Sequence, residues 1–223
     1  MDLTKKKACP LCKHHQTETF FQDRFRFYWQ CPVCCLIFVS REYLLSPEQE
    51  KARYDLHQND PQDAGYRQFL QKFITPLCQR LGPAPLNGLD FGSGPTHALA
   101  LMLEEQGYTL KIFDPFYTPN VSVLQNQYDF ITCTETFEHF HQPQREWNVL
   151  INLLKPGGLL GIMTLLIDNP DSLQNSHYIT DMTHVSFFSR QTFRFLARGY
   201  GLSVEFLGDK IIFIRKPERQ TSR

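Results

Sequence analysis

Residues 88–100, with the sequence GLDFGSGPTHALA, hold the local pattern on which the fold assignment rests. A short apolar strand reaches Asp90 and runs into a glycine-rich turn, and the residues after the turn favour a helix. Glycine suits such a turn because it adopts positive φ at little cost and lets the backbone approach a ligand closely. We therefore predict a strand, a ligand-binding turn containing Gly92 and Gly94, and a helix.

Two common nucleotide-binding motifs do not fit this turn. In the dinucleotide motif G-x-G-x-x-G the third glycine allows the helix to pack closely, and His97 occupies that position here. The sequence also contains no G-x-x-x-x-G-K-[ST] phosphate-binding loop. A different cofactor is therefore expected.

Two acidic residues indicate which cofactor this is. Asp90 lies two residues before the first glycine of the turn, where a carboxylate is badly placed for a pyrophosphate and well placed for an ammonium group. Asp114 ends the next predicted strand, LKIFD, where a carboxylate can accept hydrogen bonds from both hydroxyls of a ribose. S-adenosylmethionine carries an amino-acid end and a ribose, and it is the predicted cofactor.

Strand and helix patterns alternate from residue 86 onward. The strand patterns are continuously apolar, as in LLGIMTLLI, and such strands are covered by helices on both faces. This is typical of an α/β domain with a mostly parallel sheet. Gly208 and Asp209 join the last two strand patterns as a predicted hairpin, which adds an antiparallel edge.

Five stretches in this order resemble class I S-adenosylmethionine-dependent methyltransferases: LDFGSGPT, FDP, YDFITCTETFEHF, LLKPGGLLGIMT and THVSFFSRQTF. The resemblance covers roughly residues 54–214 and implies a Rossmann-like sheet of seven strands with an antiparallel last strand. It also implies the residues that hold the cofactor. These are Asp90, Gly92 and Gly94 at the methionine end, Asp114 at the ribose, and Thr134 and Glu135 beneath the reacting centre. Thr96 is a further candidate, since it can supply a hydroxyl to the cofactor.

The chain departs from the family pattern at two points. Thr96 stands where the third glycine of the first motif is usual, and only 14 residues separate Asp114 from Asp129. The helix and third strand expected between these two acids must therefore be shortened, and no adenine contact is assigned.

The segment before the first strand, RYDLHQNDPQDAGYRQF, resembles the segment that covers the cofactor in a bacterial subgroup of these enzymes. Tyr54, His57 and Tyr66 are the candidate residues of such a lid, and an aromatic ring there can attract the sulfonium by a cation–π contact. The alternative is that these side chains only pack the linker helix against the domain.

Four of the seven cysteines form two C-P-x-C pairs, Cys9 with Cys12 and Cys31 with Cys34, separated by 18 residues. This spacing predicts a structural zinc site with four cysteine ligands in a small ribbon. Free buried thiols or redox thiols are the alternative. Neighbouring basic residues, Arg26 among them, are expected to offset the negative charge of four thiolates.

Methyl transfer needs a base only if the acceptor must lose a proton. His139, at the end of the fourth strand of the domain, and His184, in the long loop after the fifth, are the candidate catalytic residues because ligands bind at the carboxyl ends of parallel strands. The alternative is that each histidine hydrogen-bonds backbone and holds its own loop.

The amino-acid composition limits the classes of protein to which the chain can belong. Basic and acidic residues balance at 23 each, which argues against binding long nucleic acid by phosphate neutralisation. There is no run of 18 apolar residues and no readable export signal, so we expect a cytoplasmic protein with no membrane span.

The sequence thus predicts a methyltransferase that acts on a small molecule or metabolite. Its predicted parts are a zinc ribbon at residues 1–40, a helical linker and cofactor lid at 41–85, and the methyltransferase domain at 86–216. An RNA methyltransferase for ribosomal or transfer RNA is an alternative because certain ribosomal RNA guanine methyltransferases also carry a zinc ribbon, although CTET replaces the N-P-P-[YF] motif of base-amino methyltransferases. A sugar-modifying methyltransferase and a non-catalytic binding scaffold are the remaining alternatives.

Overall fold

The protein is described by a computed structural model that covers residues 7–56, 59–169, 173–174 and 176–218. The strands, in chain order, are β1 (Glu18–Gln22), β2 (Phe27–Gln30), β3 (Ile37–Val39), β4 (Asn87–Phe91), β5 (Thr109–Phe113), β6 (Tyr128–Thr134), β7 (Leu154–Met163), β8 (Ser186–Phe187), β9 (Ser203–Leu207) and β10 (Ile211–Arg215). The α-helices with described bounds are α1 (Pro47–Tyr54), α2 (Ala64–Leu81), α3 (Ala98–Glu104), α4 (Pro143–Leu153) and α5 (Arg190–Gly199).

The larger sheet has six strands in the order β5-β4-β6-β7-β10-β9. The strands β5, β4, β6 and β7 are mutually parallel, whereas β10 runs antiparallel to both β7 and β9. The predicted parallel sheet with an antiparallel strand and a terminal hairpin is therefore present. Because β4 lies between β5 and β6, Asp90 faces Ile112 on one side and Thr132 on the other.

In the described part of the chain this sheet has six strands, one fewer than the seven predicted, while the fold class is as predicted. Residues 114–127, between β5 and β6, form a bridge between Asp114 and Thr118 and then a 3-10 turn at Val121–Gln125. This segment is too short to build both a crossover helix and a further strand, since helical crossovers alone take ten or more residues. The shortening expected from the sequence has removed the third strand of the family pattern.

Helices cover both faces of this sheet. On one face Phe73 and Leu77 of α2 pack with α3 against β7 and β10, and a Cβ atom on Gly161 of β7 would lie only 2.9 Å from the Phe73 ring. On the other face Trp147 of α4 and Phe193 of α5 are fully buried. Burial of each such side chain stabilises the fold by about 1.5–3 kcal/mol.

The smaller sheet has four antiparallel strands in the order β1-β2-β3-β8. Its first two strands lie between the two cysteine pairs and its third follows the second pair. Its fourth strand comes from the loop after β7, where Phe187 pairs with Ile37. Cys9, Trp29 and Trp147 belong to one buried cluster, so the N-terminal unit shares its core with the large sheet. The division of the chain at residues 40 and 85 remains a prediction.

Capping residues mark the ends of α1 and α2, the two helices that precede the large sheet in the chain. Ser46 caps α1 in a capping box with Gln49, and Asp63 caps α2 by accepting a hydrogen bond from Tyr66 N at 2.6 Å. Gly82, at φ 83°, ends α2 as predicted. In the described part of the chain no helix is both long and apolar enough to cross a membrane.

Candidate active site

A cavity of about 990 Å³ lies beyond the carboxyl ends of β4, β5 and β6, where ligands bind in open α/β sheets. It brings together nearly all the residues predicted for the site. The predicted residues on its wall are Tyr54, Tyr66, Asp90, Gly92, Gly94, Asp114, Thr134, Glu135, His139 and His184. Thr96 is not part of the wall, and His57 lies outside the described residues.

The glycine turn after β4 is held in a conformation that other residues adopt poorly. Gly92 and Gly94 have φ values of 79° and 63°. A Cβ atom on Gly92 would also lie 2.4 Å from the Thr136 hydroxyl oxygen, so a side chain is excluded there for two reasons. His97, the residue that ruled out the dinucleotide motif, takes the left-handed conformation at φ 54° just before α3.

Asp90 is a buried carboxylate on the cavity wall. Its pKa is raised to about 7, mainly by burial and also by the charge of Asp114, while a hydrogen bond from the Thr132 hydroxyl at 2.8 Å lowers it. Burial destabilises the ionised form of this carboxylate, and a nearby positive charge offsets that cost. Asp90 therefore favours a cationic ligand group.

Asp114 braces the glycine turn from the end of β5. Its Oδ2 atom accepts a hydrogen bond from Gly94 N at 3.0 Å, and its Oδ1 atom accepts from Phe116 N at 2.8 Å and Tyr117 N at 3.0 Å. A carboxylate has about four acceptor positions, so these bonds leave acceptor capacity for a ligand hydroxyl. The predicted ribose contact of Asp114 remains a prediction.

Helix α1 lines the cavity through Pro47, Glu50 and Tyr54. The Tyr54 ring lies 5.5 Å from the Phe116 ring and 5.2 Å from the His139 ring, between centroids. Burial raises the pKa of the Tyr54 hydroxyl. One turn earlier in the helix, the Glu50 Oε1 atom lies 2.6 Å from His141 Nε2. The predicted lid residue Tyr54 therefore contacts both sides of the cavity.

The two predicted catalytic histidines lie next to each other on the cavity wall. The ring centroids of His139 and His184 lie 4.8 Å apart. His139 Nδ1 lies 3.1 Å from Thr183 O, and His184 Nδ1 lies 2.6 Å from Tyr178 O. Burial lowers the pKa of His184, which favours a neutral imidazole.

Two glutamates stand beside these histidines, and sequence reasoning missed one of them. Glu135, directly after β6, has a positive φ of 48°, and burial together with the charge of Glu138 raises its pKa to about 8. Glu138 is fully buried, and its Oε2 atom accepts a hydrogen bond from the Thr164 hydroxyl at 2.9 Å. The signal that could have found Glu138 is an acid directly before a candidate histidine.

Comparison with known proteins identifies the domain that carries this cavity. Residues 66–206 match a family described as methyltransferase domain. The chain belongs to this family. The family, fold class and enzyme class predicted from the sequence are thereby confirmed.

Curated relatives include the ubiquinone biosynthesis O-methyltransferases of Aeromonas salmonicida and Salmonella enteritidis. Each is 32% identical over 82 residues, which is 37% of this chain and 34% of the relative. The matched region thus spans about a third of the length of these relatives.

Two solved structures from Burkholderia thailandensis share the fold. An O-methyltransferase family protein aligns with a TM-score of 0.51 and 16% identity, over 77% of this chain and 63% of that one. A 1,6-didemethyltoxoflavin-N1-methyltransferase, bound to 1,6-didemethyltoxoflavin and S-adenosylhomocysteine, aligns with a TM-score of 0.51 and 16% identity, over 90% of this chain and 100% of that one.

The methyltransferase domain is tied to the N-terminal unit by Arg26, just before β2. This side chain is buried, and its guanidinium donates hydrogen bonds to Ile179 O at 2.7 Å and His184 O at 2.8 Å, with longer bonds to Asp181 O and Met182 O. The guanidinium therefore holds the loop that carries His184. The expectation that Arg26 offsets the charge of the cysteine cluster stays a prediction.

The four cysteines of the two C-P-x-C pairs form a cluster whose sulfur atoms all lie within 4.8 Å of one another. Cys9 and Cys34 are 3.5 Å apart, and Cys12 and Cys31 are 3.4 Å apart, between Sγ atoms. A hydrogen bond from Cys34 lowers the pKa of Cys9 to about 5, while burial raises the pKa of Cys12 to about 12. Such closely spaced thiols cannot all ionise without a cation.

Asp90→Asn is expected to weaken the pH dependence of stability in the ligand-free protein. The folded pKa of about 7 exceeds the usual value, so the folded state holds the proton more tightly and stability falls as pH rises between about 4 and 7. Melting temperatures measured from pH 5 to pH 8 should fall less steeply in the variant than in the parent protein. Glu104→Gln, at an exposed site, is the control, and an unchanged slope in Asp90→Asn would contradict the assignment.

Arg26→Lys is expected to loosen the loop at residues 179–185. Lysine keeps the charge but has no planar fork to reach several carbonyl oxygens at once. Hydrogen–deuterium exchange should become faster in this loop and stay unchanged in β4 and β6. Arg24→Lys, at an exposed position, should leave exchange as it is, and slow exchange of the loop in Arg26→Lys would show that other contacts hold it.

Proposed function

We propose that the protein is an S-adenosylmethionine-dependent methyltransferase whose acceptor is a small molecule. The observation that carries this proposal is the cavity, whose wall holds both the glycine turn with Asp90 and the His139–His184 pair. We place the cofactor at the glycine turn and the acceptor at the histidine pair, which we call the acceptor end. The cavity volume of about 990 Å³ is at the upper end of the range for small-molecule sites, which suits a cofactor together with a compact acceptor.

We assign the cofactor's contacts by charge and position. The buried Asp90 carboxylate would pair with the ammonium of the methionine end, and the glycine turn would let that end approach the backbone. Asp114 would accept hydrogen bonds from the ribose hydroxyls, while Thr134 and Glu135 would lie beneath the reacting centre. Thr96 receives no contact in this assignment, because it is not on the cavity wall.

Methyl transfer depends more on the alignment of the reacting atoms and the exclusion of water than on general acid–base catalysis. The acceptor atom forms a bond to the methyl carbon in line with the carbon–sulfur bond, which breaks and leaves its electron pair on sulfur. Alignment of the reacting atoms and exclusion of water supply most of the rate enhancement for such a step. The Tyr54 and Tyr66 rings on the cavity wall would shield the sulfonium from water and attract its charge.

Helix α1 lines the cavity, and this favours a small-molecule acceptor over RNA. Pro47, Glu50 and Tyr54 line the cavity from this helix, so a polynucleotide would have to displace them. The names of the relatives, a ubiquinone biosynthesis O-methyltransferase and a 1,6-didemethyltoxoflavin-N1-methyltransferase, also refer to small molecules. The non-catalytic scaffold is disfavoured because a scaffold has no need of a buried Asp90 facing a large cavity. The cytoplasmic location remains a prediction.

We further propose that the cysteine cluster binds a structural zinc ion. Zinc–sulfur bonds of about 2.3 Å in a tetrahedron require sulfur atoms roughly 3.8 Å apart. The Sγ separations of 3.5 Å between Cys9 and Cys34 and 3.4 Å between Cys12 and Cys31 are near that value. Four thiolates leave no open coordination position, so the ion would hold the fold and take no part in catalysis.

Asp114→Ala is expected to weaken binding of S-adenosylhomocysteine about tenfold or more, since it removes charge-assisted acceptors and the brace on Gly94 N. Isothermal titration calorimetry measures the change. Glu18→Ala, at an exposed position on β1, should bind as the parent protein does. Tighter binding of NAD than of S-adenosylhomocysteine by the parent protein would overturn the cofactor assignment.

Cys31→Ser is expected to lower the zinc content by about one ion per chain, because three thiolates and a hydroxyl bind zinc far more weakly than four thiolates. Elemental analysis of the purified protein measures this loss. Cys35→Ser removes the neighbouring cysteine that contacts Gln191 and should keep the zinc. Full zinc content in Cys31→Ser would contradict the proposed ligand set.

A further inference from the structure

Three side chains with metal-binding atoms converge at the acceptor end of the cavity. Glu138 and His139 belong to the 3-10 turn Phe137–His139 after β6, and His184 belongs to the loop after β7. One ligand atom from each of the three lies within 4.8 Å of the others. All three residues line the cavity, so the cluster opens toward the space proposed for the acceptor.

In each of the two histidines the Nδ1 atom faces a backbone carbonyl oxygen. A carbonyl oxygen only accepts hydrogen bonds, so His139 Nδ1 facing Thr183 O and His184 Nδ1 facing Tyr178 O must each carry the proton. The lone pair of each ring is then on Nε2. Metal-binding histidines commonly donate their other ring nitrogen to a backbone carbonyl in this way, which fixes the tautomer and the ring orientation.

Glu138 provides an independent indication of a missing cation. It is fully buried, and among the described residues its Oε1 atom has no hydrogen-bond partner. No lysine or arginine in the described part of the chain forms an ion pair with it. A buried carboxylate with an unpaired oxygen is strongly unfavourable, and a bound cation would remove that penalty.

We propose that Glu138, His139 and His184 bind a divalent first-row transition metal ion that holds the oxygen of a hydroxyl acceptor. Two imidazoles and one carboxylate suit zinc, iron, nickel or cobalt better than magnesium or calcium, which prefer oxygen ligands alone. Three protein ligands also leave a coordination position for substrate, in contrast to the closed cysteine cluster.

This proposal rests on the proposed methyltransferase function and makes it more specific. A hydroxyl bound to the metal loses its proton to bulk water more readily than a free one, because the metal stabilises the oxygen anion. The acceptor oxygen would then form a bond to the methyl carbon, while the carbon–sulfur bond breaks and leaves its electron pair on sulfur. The histidines then act as ligands, and neither has to act as a general base.

Cobalt binding tests the site. The protein is first loaded with zinc at the cysteine cluster and then dialysed against a chelator to remove any metal from the cavity. Calorimetry and visible absorption should detect one Co²⁺ per chain, with the weak bands of nitrogen and oxygen ligands and without the intense charge-transfer bands of thiolates. His184→Ala and Glu138→Gln should weaken Co²⁺ binding by about 100-fold or more, because each removes one of three ligands. His177→Ala, a histidine of the same loop outside the cluster, should bind Co²⁺ as the parent protein does.

Binding of S-adenosylhomocysteine to the same proteins separates the two proposals. Cofactor affinity within about threefold of the parent value in both ligand variants would show that their folds are intact and that the loss is local to the metal. No Co²⁺ binding by the parent protein, or equal binding by His184→Ala, would overturn the metal site and leave the methyltransferase proposal standing. Absence of cofactor binding in the parent protein would overturn the methyltransferase proposal instead.

Discussion

The hydrogen bonds from Arg26 to the loop at residues 179–184 are the contact on which the arrangement of the site depends most. A buried guanidinium must satisfy its donors, and here backbone carbonyls satisfy most of them. Those carbonyls belong to the loop that supplies His184 to the cavity and then enters β8. The small sheet, the loop and the acceptor end of the cavity therefore form one packed unit.

The cavity concentrates acidic side chains. Asp90 and Asp114 lie beside the glycine turn, Glu135 and Glu138 follow β6, and none of the four forms an ion pair with lysine or arginine in the described residues. The raised pKa values of Asp90 and Glu135 are the result of leaving such groups buried. Positive charge would then come from ligands: the ammonium and sulfonium of the cofactor, and the proposed metal ion.

The loss of one strand relative to the family pattern also has a role at the site. The segment after β5 turns back at once and places Phe116 and Tyr117 next to α1. The Phe116 ring contacts Tyr54, and the Tyr117 hydroxyl donates a hydrogen bond to Asp55 at 2.7 Å. Residues that would otherwise extend the edge of the sheet thus support the helix that lines the cavity.

Sequence alone determined the features that depend on short spacings. The strand and turn around Gly92 and Gly94, the C-P-x-C pairs and the alternation of strands and helices are each encoded within a few neighbouring residues, because backbone conformation and ligand geometry are local constraints. Only the tertiary structure decided which distant segments meet: the pairing of β8 with β3, the carbonyl partners of Arg26 and the convergence of Glu138 with His184. These contacts join residues far apart in the chain, and their side-chain chemistry would fit several partners, so packing of the whole chain selects among them.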